Sequence, residues 1–218
     1  MMLSKSVSSW MKPLISIFFI GLSSVSVAQA QLIQCDKPQS SFKNSMICAA
    51  DFSSLRDELN ERFLTSYLVT DAPTRLIQDT QQLWLNRLQQ CKNKNCVSLQ
   101  INQRIDDLNF YMSMNQTLTQ HYIKFEQGKI AAPPVHLKIH QLSKDRVKIE
   151  GIAYRSPNNR IETQTIPLLA YTTTQSKHEI TDNEHDCQYK LKYQKSLLIV
   201  STEQTGCERF SGIYRLYD

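Results

Sequence analysis

The sequence predicts an α+β chain: a disulfide-stapled three-helix domain followed by a small antiparallel β barrel or sandwich. Three observations carry this reading. Apolar residues recur every three to four positions as far as Met112, they alternate at every second position beyond residue 134, and the six cysteines of the 218-residue chain divide four and two across those halves. A content of 41% hydrophobic and 21% charged residues fits one or two globular domains and excludes a disordered or collagen-like chain.

Residues 1–30 combine a basic start (Lys5, Lys12), an apolar stretch from Pro13 to Leu22 and a small-residue end, Ala28-Gln29-Ala30. This is the layout of a secretory signal peptide cleaved after Ala30, and its apolar stretch has about half the length that spans a bilayer. The expectation is a periplasmic or secreted protein with no stable membrane insertion after cleavage. A lipid anchor is not expected: Leu32-Ile33-Gln34-Cys35 resembles a lipobox, but Gln34 is bulky where a small residue should precede the lipidated cysteine. Removing the leader takes away Lys5 and Lys12 and no acid, so the formal charge falls from +5 to +3. So mild an excess gives no ground to expect nucleic acid as a partner.

Residues 31–127 read as the helical domain. Leu55, Leu59, Phe63 and Tyr67 recur every four positions behind a candidate cap at Ser54, and Asp71-Ala72-Pro73 breaks the pattern. A second helix places Leu76/Ile77, Thr80, Leu83/Trp84, Arg87/Leu88 and Cys91 on one side, and the short break makes it an antiparallel neighbour. After Lys92-Asn93-Lys94-Asn95, the residues Val97, Ile101, Ile105, Leu108 and Met112 form a third helix, expected to run on less regularly to Phe125.

Residues 128–134 read as a stiff linker through Ala131-Ala132-Pro133-Pro134, and residues 135–218 as the β domain. Val135, Leu137 and Ile139 alternate with His136, Lys138 and His140, and Val147 and Ile149 alternate with Arg146, Lys148 and Glu150. Further strands are expected within Ile161 to Thr174, Cys187 to Tyr193, Leu197 to Thr202 and Ser211 to Tyr217. Turn-rich Ser156-Pro157-Asn158-Asn159 and Thr181-Asp182-Asn183-Glu184 separate them. About six short strands point to a meander.

In an oxidising compartment the six cysteines are expected to pair. Near neighbours are favoured for the first four, Cys35 with Cys48 and Cys91 with Cys96, with a crossed clamp of either Cys35 or Cys48 onto the Cys91/Cys96 corner left open. Cys187 and Cys207 flank a hairpin whose turn lies near Lys195-Ser196, and one bulge would bring them opposite each other.

No catalytic or cofactor signature is found. G-x-S-x-G, H-E-x-x-H and paired C-x-x-C do not occur, and Gly128, Gly151, Gly206 and Gly212 build neither a Walker loop nor a dinucleotide turn, so a non-catalytic chain with no cofactor is expected. His136 and His140 on a strand stand roughly 13 Å apart, too far to share a metal, and read as solvent-facing. Glu184-His185-Asp186 reads as a polar loop tip, Trp84 as core, and Tyr189, Tyr193, Tyr214 and Tyr217 as packing within the β domain.

Taken together, Cys35, Ile47-Cys48, Leu55-x3-Leu59, Tyr67, Gln82-x-Trp84-Leu85-x-Arg87-x3-Cys91-x4-Cys96 and Arg104-Ile105-x2-Leu108 resemble the LprI-like lysozyme-inhibitor family over residues 35 to 109. The strand half shows only a loose likeness, through Gly206-Cys207, Phe210-Ser211-Gly212 and Tyr214, to small β domains of exported bacterial proteins. The resemblance implies a helical domain that binds and inhibits lysozyme or a related peptidoglycan-cleaving enzyme. Such an inhibitor must place side chains in a cleft holding two carboxylates, which makes Arg87, Lys92 and Lys94 around the Cys91/Cys96 corner the candidate partner-binding residues. Their plain alternative is a solvated helix end. The other expectation is a non-catalytic envelope adaptor whose β domain binds a protein or glycan.

Overall fold

The computed structural model describes residues 32–36, 45–112, 118–154 and 165–217. The expected leader and the Ser156 to Asn159 turn lie outside them. Three helices form as the periodicity requires: α1 (Ser53–Val69), α2 (Thr74–Leu88) and α3 (Lys94–Met112). In α1, Leu59 and Phe63 are buried while Leu55 and Tyr67 are partly buried against the same core. No side-chain cap forms at its start, so the Ser54 cap is corrected: the helix begins at Ser53, behind a 3-10 turn that buries Phe52. Its end is fixed chemically. The Thr70 hydroxyl donates to the Ser66 carbonyl at 2.9 Å and accepts from the Ala72 N–H at 3.1 Å, and Pro73 then opens α2. At the next corner Asn93 Oδ1 accepts the Cys96 N–H at 2.9 Å, satisfying a donor that a helix start leaves open.

All three disulfides join the favoured partners: Cys35–Cys48, Cys91–Cys96 and Cys187–Cys207, with Cα separations of 5.5, 5.4 and 5.7 Å. Such bonds persist in an oxidising extracellular or periplasmic setting. No helix among the described residues is long and apolar enough to cross a membrane.

Among the described residues the sheet contains nine strands: β1 (Thr119–Glu126), β2 (Lys129–Ile130), β3 (His136–Ser143), β4 (Arg146–Tyr154), β5 (Thr165–Thr172), β6 (Glu179–Thr181), β7 (Gln188–Gln194), β8 (Leu197–Ser201) and β9 (Gly212–Tyr217). Every pairing is antiparallel, in the order β5-β4-β3-β1-β9-β8-β7-β6, with β2 appended to β1. This is an up-and-down meander curled into a nearly closed barrel. The remaining gap, between β5 and β6, is bridged at one point: the Asn183 N–H donates to the Leu169 carbonyl at 2.7 Å, and the Leu169 N–H donates to Asp182 Oδ1 at 2.9 Å.

Two expectations are corrected here. The third helix does not run to Phe125, because β1 starts at Thr119. The Pro-rich segment is not an interdomain joint either: the Ala131 N–H donates to the Lys124 carbonyl and the Lys124 N–H to the Val135 carbonyl, each at 2.9 Å, so it runs beside β1 and connects strands of one sheet. Gly128 is a hairpin residue at φ 77, beside Gln127 at φ 51, and successive positive φ angles suit a tight hairpin whose strands twist right-handedly.

Two cores result. The barrel interior holds Tyr122, Leu137, Ile139, Val147, Ile149, Leu168, Ala170, Leu191, Leu198, Val200 and Tyr214, and each fully buried aliphatic side chain stabilises by about 1.5–3 kcal/mol. The other core lies among the helices and extends onto the outside of the barrel through Ile123, with Phe125, Ile130 and Tyr217 packed against it. Helices and barrel therefore share one seam.

Candidate functional site

Strand alternation places every second residue of β1, β3 and β4 on the side that faces the helices. His121 pairs with Lys138, Lys138 with Glu150, Thr119 with His140, His140 with Lys148, and Ile123 with His136, so one polar patch spans three strands. Its side chains are buried: His121 is 2% exposed, Lys138 1%, His140 0% and His136 1%. His136 and His140 are therefore corrected from solvent-facing to interior residues. The period-2 pattern marks which residues share a face, but the helices decide whether that face is wet.

Glu150 organises the patch. His140 Nε2 donates to Glu150 Oε2 at 2.9 Å while its Nδ1 accepts from the Thr119 hydroxyl at 2.9 Å; Lys148 donates to Oε1, and Lys138 Nζ lies 3.5 Å from Oε2. Burial alone would raise the Glu150 carboxyl, but the hydrogen bonds from His140 and Lys148 and the charge of Lys138 hold it down at about 2. Lys138 also donates to the Phe110 carbonyl at the end of α3, at 2.6 Å, and sits 4.5 Å from the centre of the Phe110 ring. Burial pushes this ammonium below its ordinary value, against the opposing pull of Glu150.

Two further contacts tie the patch to the helices. His121 Nε2 donates to Asp71 Oδ1 in the α1–α2 turn at 3.0 Å, and His136 Nε2 lies 3.5 Å from Asp107 Oδ1 on α3. Asp107 also accepts from the Tyr154 hydroxyl of β4 at 3.3 Å and faces Arg104 at 3.8 Å. Arg104, 0% exposed, reaches back to Gln81 Oε1, the Thr80 hydroxyl and the Ile77 carbonyl at 2.9, 3.2 and 3.3 Å, so this network passes from α2 through α3 to the sheet. Burial raises the Tyr154 hydroxyl well above its ordinary value, which keeps it a donor. Arg104 falls on the apolar stripe of α3, three residues after Ile101 and four before Leu108, so the helical period itself signals its burial, whereas Asp107 lies at the edge of that stripe.

Beside the patch a cavity of about 310 Å³ opens between the end of α3, β4 and β5. Its wall is chiefly apolar, with Phe110, Ile152, Pro167, Leu168 and Leu169, and Glu150 and Glu184 also line it. That volume is at the lower end for a small-molecule site. Among the described residues no three metal-ligating side chains converge.

The residues expected to bind a partner lie elsewhere, at the corner between α2 and α3. Trp84 is fully buried and its indole N–H donates to the Gln100 carbonyl at 2.6 Å; Arg87 is half-buried and its Nε donates to Gln100 Oε1 at 3.1 Å. Lys94 is exposed and ion-paired with Asp51, and Lys92 is exposed. Trp84, Arg87, Cys91 and Cys96 thus all brace the start of α3 and stiffen the four-residue corner they flank. Asp182, with His185 Nδ1 at 2.9 Å from its Oδ2, closes the barrel gap; Tyr189 and Tyr214 lie in the barrel core, Tyr193 packs against it, and Tyr217 packs on the helical side.

Comparison with family models, with curated proteins and with solved structures returned no match for this chain.

Proposed function

We propose that the chain is an exported, non-catalytic binding protein that inhibits lysozyme or a related peptidoglycan-cleaving enzyme by presenting the Cys91–Cys96 corner to its cleft. The supporting observation is the construction of that corner. A disulfide closes it, Trp84 and Arg87 anchor it to Gln100, and Lys92 stands exposed on its loop. A loop already rigid before binding loses little conformational entropy on docking, and an ammonium at its tip complements a cleft that contains two catalytic carboxylates. The resemblance of residues 35 to 109 supplies the choice of partner. Lys92 is the contact residue in this reading; Arg87 acts as a brace, and Lys94 is shared with Asp51.

The test is a turbidity assay of bacterial cell-wall lysis with c-, g- and i-type lysozymes and the chain lacking residues 1–30. Inhibition at micromolar concentration is expected, and Lys92→Glu should weaken it by about tenfold or more while leaving the melting temperature unchanged. Toward a basic lysozyme, association of this mildly basic chain should accelerate as salt screens their repulsion. No inhibition of any of the three enzyme types overturns the reading.

The cavity between α3 and β5 favours a second reading, an envelope adaptor whose barrel takes a ligand group at Phe110 and Glu150. A pull-down from envelope extract separates the two: a partner retained by the intact chain and lost on Pro167→Trp, which fills the cavity, supports the adaptor.

A further inference from the structure

In the seam between helices and barrel Arg104 faces Asp107, Lys138 and Lys148 face Glu150, and the His121 ring faces Asp71. A proton added to the His121 ring places a positive charge in a buried site with Asp71 as its one close anion.

His121 is where this matters for the joint itself, because it connects β1 to the α1–α2 turn. Asp71 faces it from that turn, Lys138 and His140 from β3, and Tyr217 is its cross-strand neighbour on β9. The Tyr217 hydroxyl lies 3.4 Å from Asp79 of α2, which also faces Arg75. Of these groups, Asp71 alone lies within ion-pairing distance of the ring, and its second oxygen, Oδ2, is buried without a hydrogen bond. Two cationic or titratable neighbours on β3 oppose it.

We propose that the His121–Asp71 contact is an acid-sensitive latch, which holds the α1–α2 turn against β1 at neutral pH and releases it on acidification. The geometry sets the direction. With the ring 2% exposed, its imidazolium form gains more from water than from Asp71, so protonation favours the lifted turn. Burial accordingly lowers His121 from 6.5 to about 4, with Asp71 opposing the shift only in part. A folded value below the unfolded one means that the latch is fully closed above pH 6.5 and weakens as pH falls toward 4, by about tenfold per pH unit. Lifting the turn uncovers Ala72, a few residues along the chain from Leu68 and Val69, which are already exposed. An oxidising compartment outside the cytosol is also one that meets external pH.

Hydrogen exchange on the full chain at pH 7 and pH 4.5, corrected for intrinsic exchange rates, tests the latch. Amides of residues 70–76 and 119–123 should lose protection by about 100-fold while β7 and β8 keep theirs. His121→Gln, whose amide still donates to Asp71 but does not titrate, should remove the pH dependence. An NMR titration of the wild-type histidine rings decides independently of that variant, with His121 expected to stay neutral to about pH 4. A His121 ring that titrates near 6.5, protection unchanged at pH 4.5, or an equal loss throughout the barrel would each overturn the proposal.

Discussion

On β3, Leu137 and Ile139 point into the barrel and join an apolar core, whereas His136, Lys138 and His140, each one residue away, are buried under the helices among carboxylates. The two faces of one strand are equally dry and are stabilised differently. Burial on the inner face gains in proportion to the apolar area removed from water, with no demand on orientation. On the outer face, desolvation costs several kcal/mol per ion unless each partner is placed, so buried charges there add less net stability than their number suggests.

Substitutions can break this contrast. Arg104→Ala should be the most damaging, at about 3–5 kcal/mol, because it leaves Asp107 buried without its cation. Replacing both residues, Arg104→Met with Asp107→Leu, should recover most of that loss in a urea melt; a double variant as unstable as the single one would show that the pair contributes net stability. Ile149→Ala, on the inner face, should cost about 2–4 kcal/mol through lost burial and a cavity, and no second substitution on the outer face should repair it.

Glu150→Gln should cost about 2 kcal/mol at pH 7, the figure being reduced for partial exposure, since three donors lose their anion. Its pH dependence sharpens the comparison. The folded carboxyl, at about 2, lies below its ordinary 4.5, so its contribution is complete above pH 4.5 and disappears as pH falls toward 2. Urea melts of the wild type and Glu150→Gln should therefore converge below pH 4.5. Lys94→Ala, in an ion pair open to water, should leave the melting temperature unchanged within error.

Much of the fold was legible because it follows local periods. The helical repeat of Leu59, Phe63, Trp84, Ile101 and Leu108 identified residues that are all buried; short separations favoured Cys35–Cys48 and Cys91–Cys96, and a hairpin between them favoured Cys187–Cys207. β1 was missed because its helix-facing residues (His121, Ile123, Phe125) and its opposite residues (Tyr122, Lys124) mix apolar and polar groups on both sides, so neither period stands out. β6, three residues long, is too short to show one. The polar seam was illegible for a different reason. His136 and Lys138 are dry only because a second layer covers them, and the strand's own alternation carries no information about that layer.

The pairing of β1 with β9 also dictates an order of events. Ile123 sits opposite Arg215, so the strand at the centre of the sheet waits for one of the last described segments of the chain before its second edge is covered. A chain emerging from its N-terminus can complete the three helices, and then β1 with β3, β4 and β5, while β1 still presents a row of unpaired N–H and C=O groups along that edge. Until Gly212 to Tyr217 arrive, the half-made barrel offers that row to any passing strand, and the interval between synthesis of β5 and of β9 is when the nascent protein is most open to being captured by another chain.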